Sequence, residues 1–307
     1  MRATIFGGGG FIGSAITDRL LRDGHDLRIF ERPRVEPYRK FEVCEHVEWV
    51  TGDLLSIHDV RAAIEGSDVV FHLISTTLPK SSNDDPIYDV QTNLVASLQL
   101  LNIMVEQKVR KIIFISSGGT VYGKPLYLPI DEAHPTEPQV SYGITKLAVE
   151  KYLLMYERIY GIKTVILRVA NPYGERQRAD TAQGAVGVFI DRVLKGLPIE
   201  IWGDGSVTRD YIYISDVAEA FACAMHYSGA KSVFNISSGV GTSLNDLIDM
   251  IERETGSGIV RKYRLSRPFD VPVSILDSSL ARRELGWNTQ IHLEEGIAKT
   301  VEWMRRC

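Results

Sequence analysis

The chain has 307 residues, is 44% hydrophobic and 24% charged, and carries a formal net charge of −4. That length predicts about two domains and a sizeable core, and the acidic balance argues against a non-specific nucleic-acid binder. Cys44, Cys223 and Cys307 are far apart with no CxxC, and the seven histidines form no metal-ligand spacing, so no zinc framework is expected and a reducing, cytoplasmic setting fits. No apolar run approaches the roughly 18 residues of a membrane span. The apolar stretch Ala3–Phe6 gives way to glycines too early for a signal peptide.

In chain order, the pattern predicts a strand at Arg2–Phe6, a helix at Phe11–Asp23, strands at Asp26–Glu31 and Val47–Thr51, a short helix at Ile57–Ile64 and a strand at Val69–Leu73. A long helix over Ile87–Gln107 follows, then a strand at Lys111–Ser116, a helix at Tyr142–Tyr160 and a strand at Lys163–Val169. Apolar β-rich runs separated by helical stretches imply βαβ units, a parallel sheet covered on both faces and a doubly wound α/β fold. Residues 1–169 read as a dinucleotide-binding domain. From 170 to 307 the elements shorten. Asn171–Thr181 reads as loop. Helices are expected near Val186–Lys195, Asp216–His226, Leu244–Glu254, Ser279–Leu285 and Leu293–Met304, with strands near Glu200–Trp202 and Asp210–Ile214. This second part reads as a smaller, mixed substrate lobe, with some segments interleaving with the first.

Gly7, Gly10 and Gly13 follow the first strand and open the first helix. Glycine suits this position because the chain turns tightly and lets a pyrophosphate approach its backbone. The helix N-terminus then offers unpaired N–H groups to the phosphates. Glu31 ends the second strand, where a carboxylate bonds the adenosine ribose hydroxyls and repels a 2′-phosphate, favouring NAD. Arg32 and Arg34 leave NADP open. Asp53 either accepts from the adenine amino group or serves a turn or helix cap.

Tyr142 and Lys146 stand four apart on one helix face, with Ser141 as a plausible cap. A tyrosine of ordinary pKa near 10 is a poor base at neutral pH. An adjacent ammonium and a positive nicotinamide ring both favour its phenolate.

On these marks the chain resembles the extended short-chain dehydrogenase/reductase family, and within it the nucleotide-sugar 4-epimerases. The resemblance runs through GGGGFIG, Glu31, the GDL of 52–54, Asn93, SSGGTVYG, YGITK, RVANPYG, RDYIYISDVA and RPFDV. It implies tightly held NAD lined by Gly7, Gly10, Phe11, Ile12, Gly13, Glu31, Arg32, Asp53, Leu54, Leu73, Asn93, Ser116, Tyr142 and Lys146. It also implies a homodimer built on the helices near 87–107 and 142–160.

One position departs from the family. A Ser or Thr is usual where this chain has Gly118, so the hydroxyl that helps polarise the substrate must come from Thr120 or Ser117, with Thr120 preferred. The related 4,6-dehydratases carry an Asp-Glu pair where this chain has Gly119 and Thr120, and neither of these can act as general acid or base. The resemblance further assigns Arg209 and Arg267 to the substrate diphosphate, Asp270 to the uridine ribose, Trp202 to uracil and Asn171 to the diphosphate or sugar. Ser274 matches the position beside the sugar C2 substituent, where a small residue leaves room for an N-acetyl group. The expectation is interconversion of UDP-GlcNAc and UDP-GalNAc. The alternatives are a UDP-glucose or UDP-glucuronate 4-epimerase, a nucleotide-sugar reductase, and a non-catalytic dinucleotide-binding regulator.

Overall fold

A computed structural model describes residues 1–79, 81–178, 184–266 and 271–306. Through the first half run β1 (Arg2–Phe6), α1 (Phe11–Arg22), β2 (Asp26–Glu31), β3 (Val47–Thr51), α2 (Ile57–Ile64), β4 (Val69–His72), α3 (Pro86–Asp89), α4 (Ala96–Gln107), β5 (Lys111–Ser117), α5 (Ser141–Tyr160) and β6 (Lys163–Val169). The second half holds β7 (Asn171–Tyr173), α6 (Ala185–Leu194), β8 (Ile199–Trp202), β9 (Thr208–Tyr213), α7 (Ile214–His226), β10 (Val233–Ile236), β11 (Gly241–Ser243), α8 (Leu244–Thr255), β12 (Arg261–Arg264), β13 (Val273–Ser274), α9 (Ser279–Leu285) and α10 (Leu293–Arg306).

Seven parallel strands in the order β3-β2-β1-β4-β5-β6-β10 form the main sheet. Alternate residues of its strands feed opposite faces, as the period of two requires. Ile5, Phe71, Ile113 and Leu167 pack with Ile16 of α1 and Phe221 of α7. Phe6, Val70, Phe114 and Ile166 pack with Leu100 of α4 and Leu153 of α5 on the other side. This double coverage makes the central strands near-continuous apolar runs, which is why they stand out in the sequence. Strand order reverses between β1 and β4. That switch point opens a crevice at the C-terminal ends of the two strands, the usual ligand position in such sheets.

The elements depart from expectation in several places. The stretch 87–107 is not one regular helix: a π-helical segment, Val90–Val95, separates α3 from α4. Val140 precedes α5 as its N-cap with no side-chain cap bond, so Ser141 is the first helical residue and not the cap. Asn171–Tyr173, expected as loop, is a strand paired with β9. β10, a strand that the sequence pattern does not show, lies beyond residue 170 and completes the main sheet beside β6. Also from beyond 170, α7 packs against α1.

The small sheet orders β11-β9-β13, with β7 also on β9. Its register sets Asn171 opposite Tyr211 and Ser274 opposite Arg209. Trp202 ends β8, which pairs with β12 in a separate ribbon. Arg267 and Asp270 lie outside the described residues. Among the described residues no helix is long and apolar enough to cross a membrane.

Candidate active site

The glycine turn is built by close packing. Gly7 has φ +88°, a left-handed value suited to glycine. A Cβ on Gly13 would sit 2.0 Å from the Gly7 carbonyl oxygen, so α1 meets the turn backbone to backbone. At Gly10 a Cβ would meet only that same oxygen, at 3.6 Å, which leaves the outer face of the turn open. Gly10 caps α1 with no side-chain bond and the first turn holds no acid. The N–H groups of Phe11, Ile12 and Gly13 find no acceptor among the described residues, as expected of a first helical turn. Donors without acceptors at a positive helix end suit a pyrophosphate, so these residues fit a dinucleotide.

Glu31 is 8% exposed, and its Oε1 accepts the Gly9 N–H at 3.0 Å. Burial pushes its carboxyl upward, while the Gly9 bond and Arg32 pull it back. Arg32 is exposed. Asp53 is exposed and bonded within its turn: its Oδ1 accepts from Leu55 N–H at 2.9 Å, and its own N–H donates to Asp59 Oδ2. Leu54 is buried in the core, and Leu73 continues the β4 pairing by donating its N–H to the Phe6 carbonyl.

Tyr142 and Lys146 line one cavity on α5. Lys146 Nζ donates to the Ile115 carbonyl at 3.0 Å and lies 5.7 Å from the centre of the Tyr142 ring. Burial pushes the Tyr142 hydroxyl up to about 12, with the Ser75 hydroxyl pulling the other way. Burial also pushes the Lys146 ammonium down to about 8, opposed by Asp89 and Glu150.

Asp89 is the group that the sequence reading missed. It is fully buried. Its Oδ1 accepts from Thr77 Oγ1 and Asn93 Nδ2, and its Oδ2 from Ser141 Oγ (2.7 Å) and Thr145 Oγ1 (2.8 Å). These bonds tie the first turns of α5 to the end of α3, where the π segment begins. Asn93 belongs to the same cluster, and its Oδ1 accepts Thr76 N–H at 2.9 Å. The only sequence signal for Asp89 is its spacing of four residues before Asn93.

Ser117 ends β5, and its carbonyl accepts the N–H groups of Thr120 and Val121. Thr120 Oγ1 is buried and has no partner among the described residues. Gly118 has a packing cause: a Cβ there would lie 2.3 Å from Leu276 Cδ1 and 3.1 Å from the Arg168 carbonyl oxygen. Gly118→Ser is therefore expected to cost about 1–3 kcal/mol by overpacking. Adding Leu276→Ala should recover part of that loss in urea denaturation. The Ser116 hydroxyl is directed to Oε1 of Glu150, which also forms a buried ion pair with Arg168.

In the second lobe, Asn171 Nδ2 donates to the Asp210 carbonyl and Arg209 Nη1 to the Thr208 carbonyl. Ser274 is 5% exposed and Trp202 is 40% exposed. Asn171, Arg209 and Ser274 thus share the small sheet, and Trp202 stands on the neighbouring ribbon.

A glycine turn at the switch point of a doubly wound sheet, with a half-buried Tyr142 beside a buried Lys146 on α5, defines a dinucleotide-dependent enzyme of the short-chain dehydrogenase/reductase type. Residues 3–237 match the NAD dependent epimerase/dehydratase family, and the chain belongs to it. NAD is the cofactor of this family. The chain is 38% identical over 309 residues to a UDP-glucose 4-epimerase of Mycolicibacterium smegmatis, covering 99% of each. Among solved structures it is similar to the UDP-glucose 4-epimerase of Thermotoga maritima with UDP-glucose, at TM-score 0.95 and 34% identity, covering 100% of this chain and 99% of that one. It is also similar to a UDP-N-acetylglucosamine 4-epimerase of Methanobrevibacter ruminantium, at TM-score 0.93 and 29% identity, covering 99% and 98%.

Proposed function

We propose that the chain is a UDP-sugar 4-epimerase. The observation that carries this reading is the Tyr142–Lys146 pair on one face of α5, in the same molecule as the open N–H cradle of Phe11 to Gly13. NAD, when bound, supplies a hydride acceptor and donor. Tyr142 takes the proton of the sugar 4-hydroxyl and returns it after the sugar has turned. Lys146 lowers the cost of the phenolate by its charge. Thr120 supplies the hydroxyl that holds the reacting oxygen, a role supported by its buried, unpartnered Oγ1. Arg209, together with Arg267 and Asn171, anchors the diphosphate, because a guanidinium bonds phosphate oxygens in pairs. Trp202 and Asp270 hold the uridine.

Within that reaction, the reading for the sugar is UDP-GlcNAc. It rests on Ser274, whose small side chain leaves room beside C2. The test is turnover of UDP-GlcNAc by purified enzyme with no added reductant, followed by NMR of the anomeric proton. The expected product is UDP-GalNAc. Conversion of UDP-glucose alone would sink the Ser274 argument, and formation of product only after NADH is added, one NADH consumed per product, would indicate a reductase.

The second proposal is a homodimer. Ile87, Val90 and Val95 on the stretch 86–95, with Ile144, Tyr152 and Ile159 on α5, are exposed apolar side chains on the two helical stretches that the family resemblance pairs. Leu101 and Leu153 instead face the core. Sedimentation should give twice the chain mass, and Val95→Glu with Tyr152→Glu should give a monomer. A wild-type monomer at micromolar concentration would overturn this.

A further inference from the structure

His72 ends β4 and is 2% exposed. Its Nε2 lies 2.7 Å from Ser97 Oγ. Ser97 has a single hydroxyl hydrogen, and that hydrogen is donated to the Asn93 carbonyl. Ser97 can therefore only accept at Nε2, which puts the imidazole hydrogen on Nε2 and leaves Nδ1 as a bare acceptor. Nδ1 is buried and has no partner among the described residues. A buried acceptor in that state costs about 1–3 kcal/mol, so a partner is called for.

The cavity that His72 lines is also lined by Lys146 and Tyr142. About 10 Å³ of it is open to the centre of a water molecule, close to the room that one buried water needs. Lys146 brings three donors, of which the Ile115 carbonyl takes one. The cavity is thus lined by one residue whose acceptor lacks a donor and by another whose ammonium has donors beyond its bond to Ile115. A water molecule satisfies both, accepting from Nζ and donating to Nδ1.

We propose that His72 is a positioning residue for Lys146, acting through one buried water between Nδ1 and Nζ, with Ser97 fixing the imidazole tautomer. The proposal rests on the assignment of Tyr142 and Lys146 above. Burial, and then the charge of Lys146, push His72 down to about 3, so the ring stays a neutral acceptor over the working pH range. A carboxylate in its place would pull the Lys146 ammonium strongly upward. A neutral acceptor orients the ammonium while leaving its pKa near 8.

The sign of the effect follows. An acceptor favours charged Lys146, so its loss is expected to lower the pKa of Lys146 further and to move an alkaline limb of kcat that follows this ammonium to lower pH. His72→Leu should move that limb down by about one unit, and the pH dependence of NAD binding, read by tryptophan fluorescence, should move with it. His72→Asn places an amide oxygen near the position of Nδ1 and should keep the wild-type limb. Ser97→Ala frees the tautomer and should move the limb in the same direction as His72→Leu, by less. A high-resolution crystal structure should show the water. An unmoved limb in a folded His72→Leu protein overturns the proposal. If that variant does not fold, an unmoved limb in Ser97→Ala or a crystal structure without the water does so. Retained turnover in Lys146→Met would instead remove the Tyr–Lys assignment itself.

Discussion

Tyr142→Phe is expected to lower kcat by about a thousandfold, the scale of a lost general base, and to leave NAD binding and the fold intact. The substitution removes one oxygen and keeps the ring that packs 5.7 Å from Lys146 Nζ. The glycine turn, Glu31 and the N-terminal turn of α1 are untouched, and these are the groups that fit the dinucleotide. What is lost is specific. Burial holds the Tyr142 hydroxyl near 12, so the isolated pocket stores a neutral phenol that becomes a base only through the charges brought beside it. Phenylalanine has nothing to titrate, and Thr120, the other hydroxyl assigned to the reacting oxygen, has far too high a pKa to replace it. Steady-state kinetics, NAD titration by fluorescence and a thermal melt on the same preparation separate these effects. Turnover within about tenfold of wild type, against the two to four decades expected of a general base, would assign proton transfer to another group.

The sequence shows those parts of the fold that repeat a local pattern. β1 to β6 are buried on both faces or follow turn residues, and α1, α5 and α7 carry recognisable apolar stripes, so their ends fall within a residue or two of expectation. β7, β10, β11, β12 and β13 are two to four residues long and are defined by their neighbours. Val233–Ile236 becomes a strand because β6 offers it an edge, which no local pattern in four residues reveals. The site divides in the same way. Tyr142 and Lys146 are legible because a helix fixes their spacing, and the glycines because a turn demands them. Asp89 is not, since its importance lies in four donors drawn from the 77, 93 and 141–145 segments. Gly118 looks like a missing hydroxyl in sequence. In three dimensions it is the seat of Leu276, a residue from the far end of the chain. The local bonds of Asp53 to the Leu55 N–H and of Ser116 to Glu150 are likewise set by geometry that residue type alone does not reveal.

Breaking the ion pair behind the site is the other large effect. Arg168 and Glu150 are 5% and 1% exposed in their side chains and meet through Nη2–Oε2 at 2.6 Å, with Nε also donating to the carboxylate. Arg168 Nη1 donates to Tyr122 Oη at 2.9 Å, and Tyr122 donates on to Asn235 Oδ1 at 2.7 Å. The network joins α5, one turn past Lys146, to β5 through Ser116, to the loop after β5 that carries Thr120, and to β10. Burial opposes the Arg168 charge, but the bonds and charge of Glu150 outweigh it and hold the guanidinium above its ordinary range. Arg168→Met leaves Glu150 buried without its partner and should cost about 3–5 kcal/mol. Arg168→Met combined with Glu150→Met removes both charges and should recover more than half of that loss, since a buried pair owes much of its apparent value to the penalty of leaving one charge alone. A double-mutant cycle in urea measures this directly. If the double variant is instead as unstable as the sum of the two single ones, the pair contributes no coupling, and the stability of this region comes from the Tyr122–Asn235 bond and the packing around it.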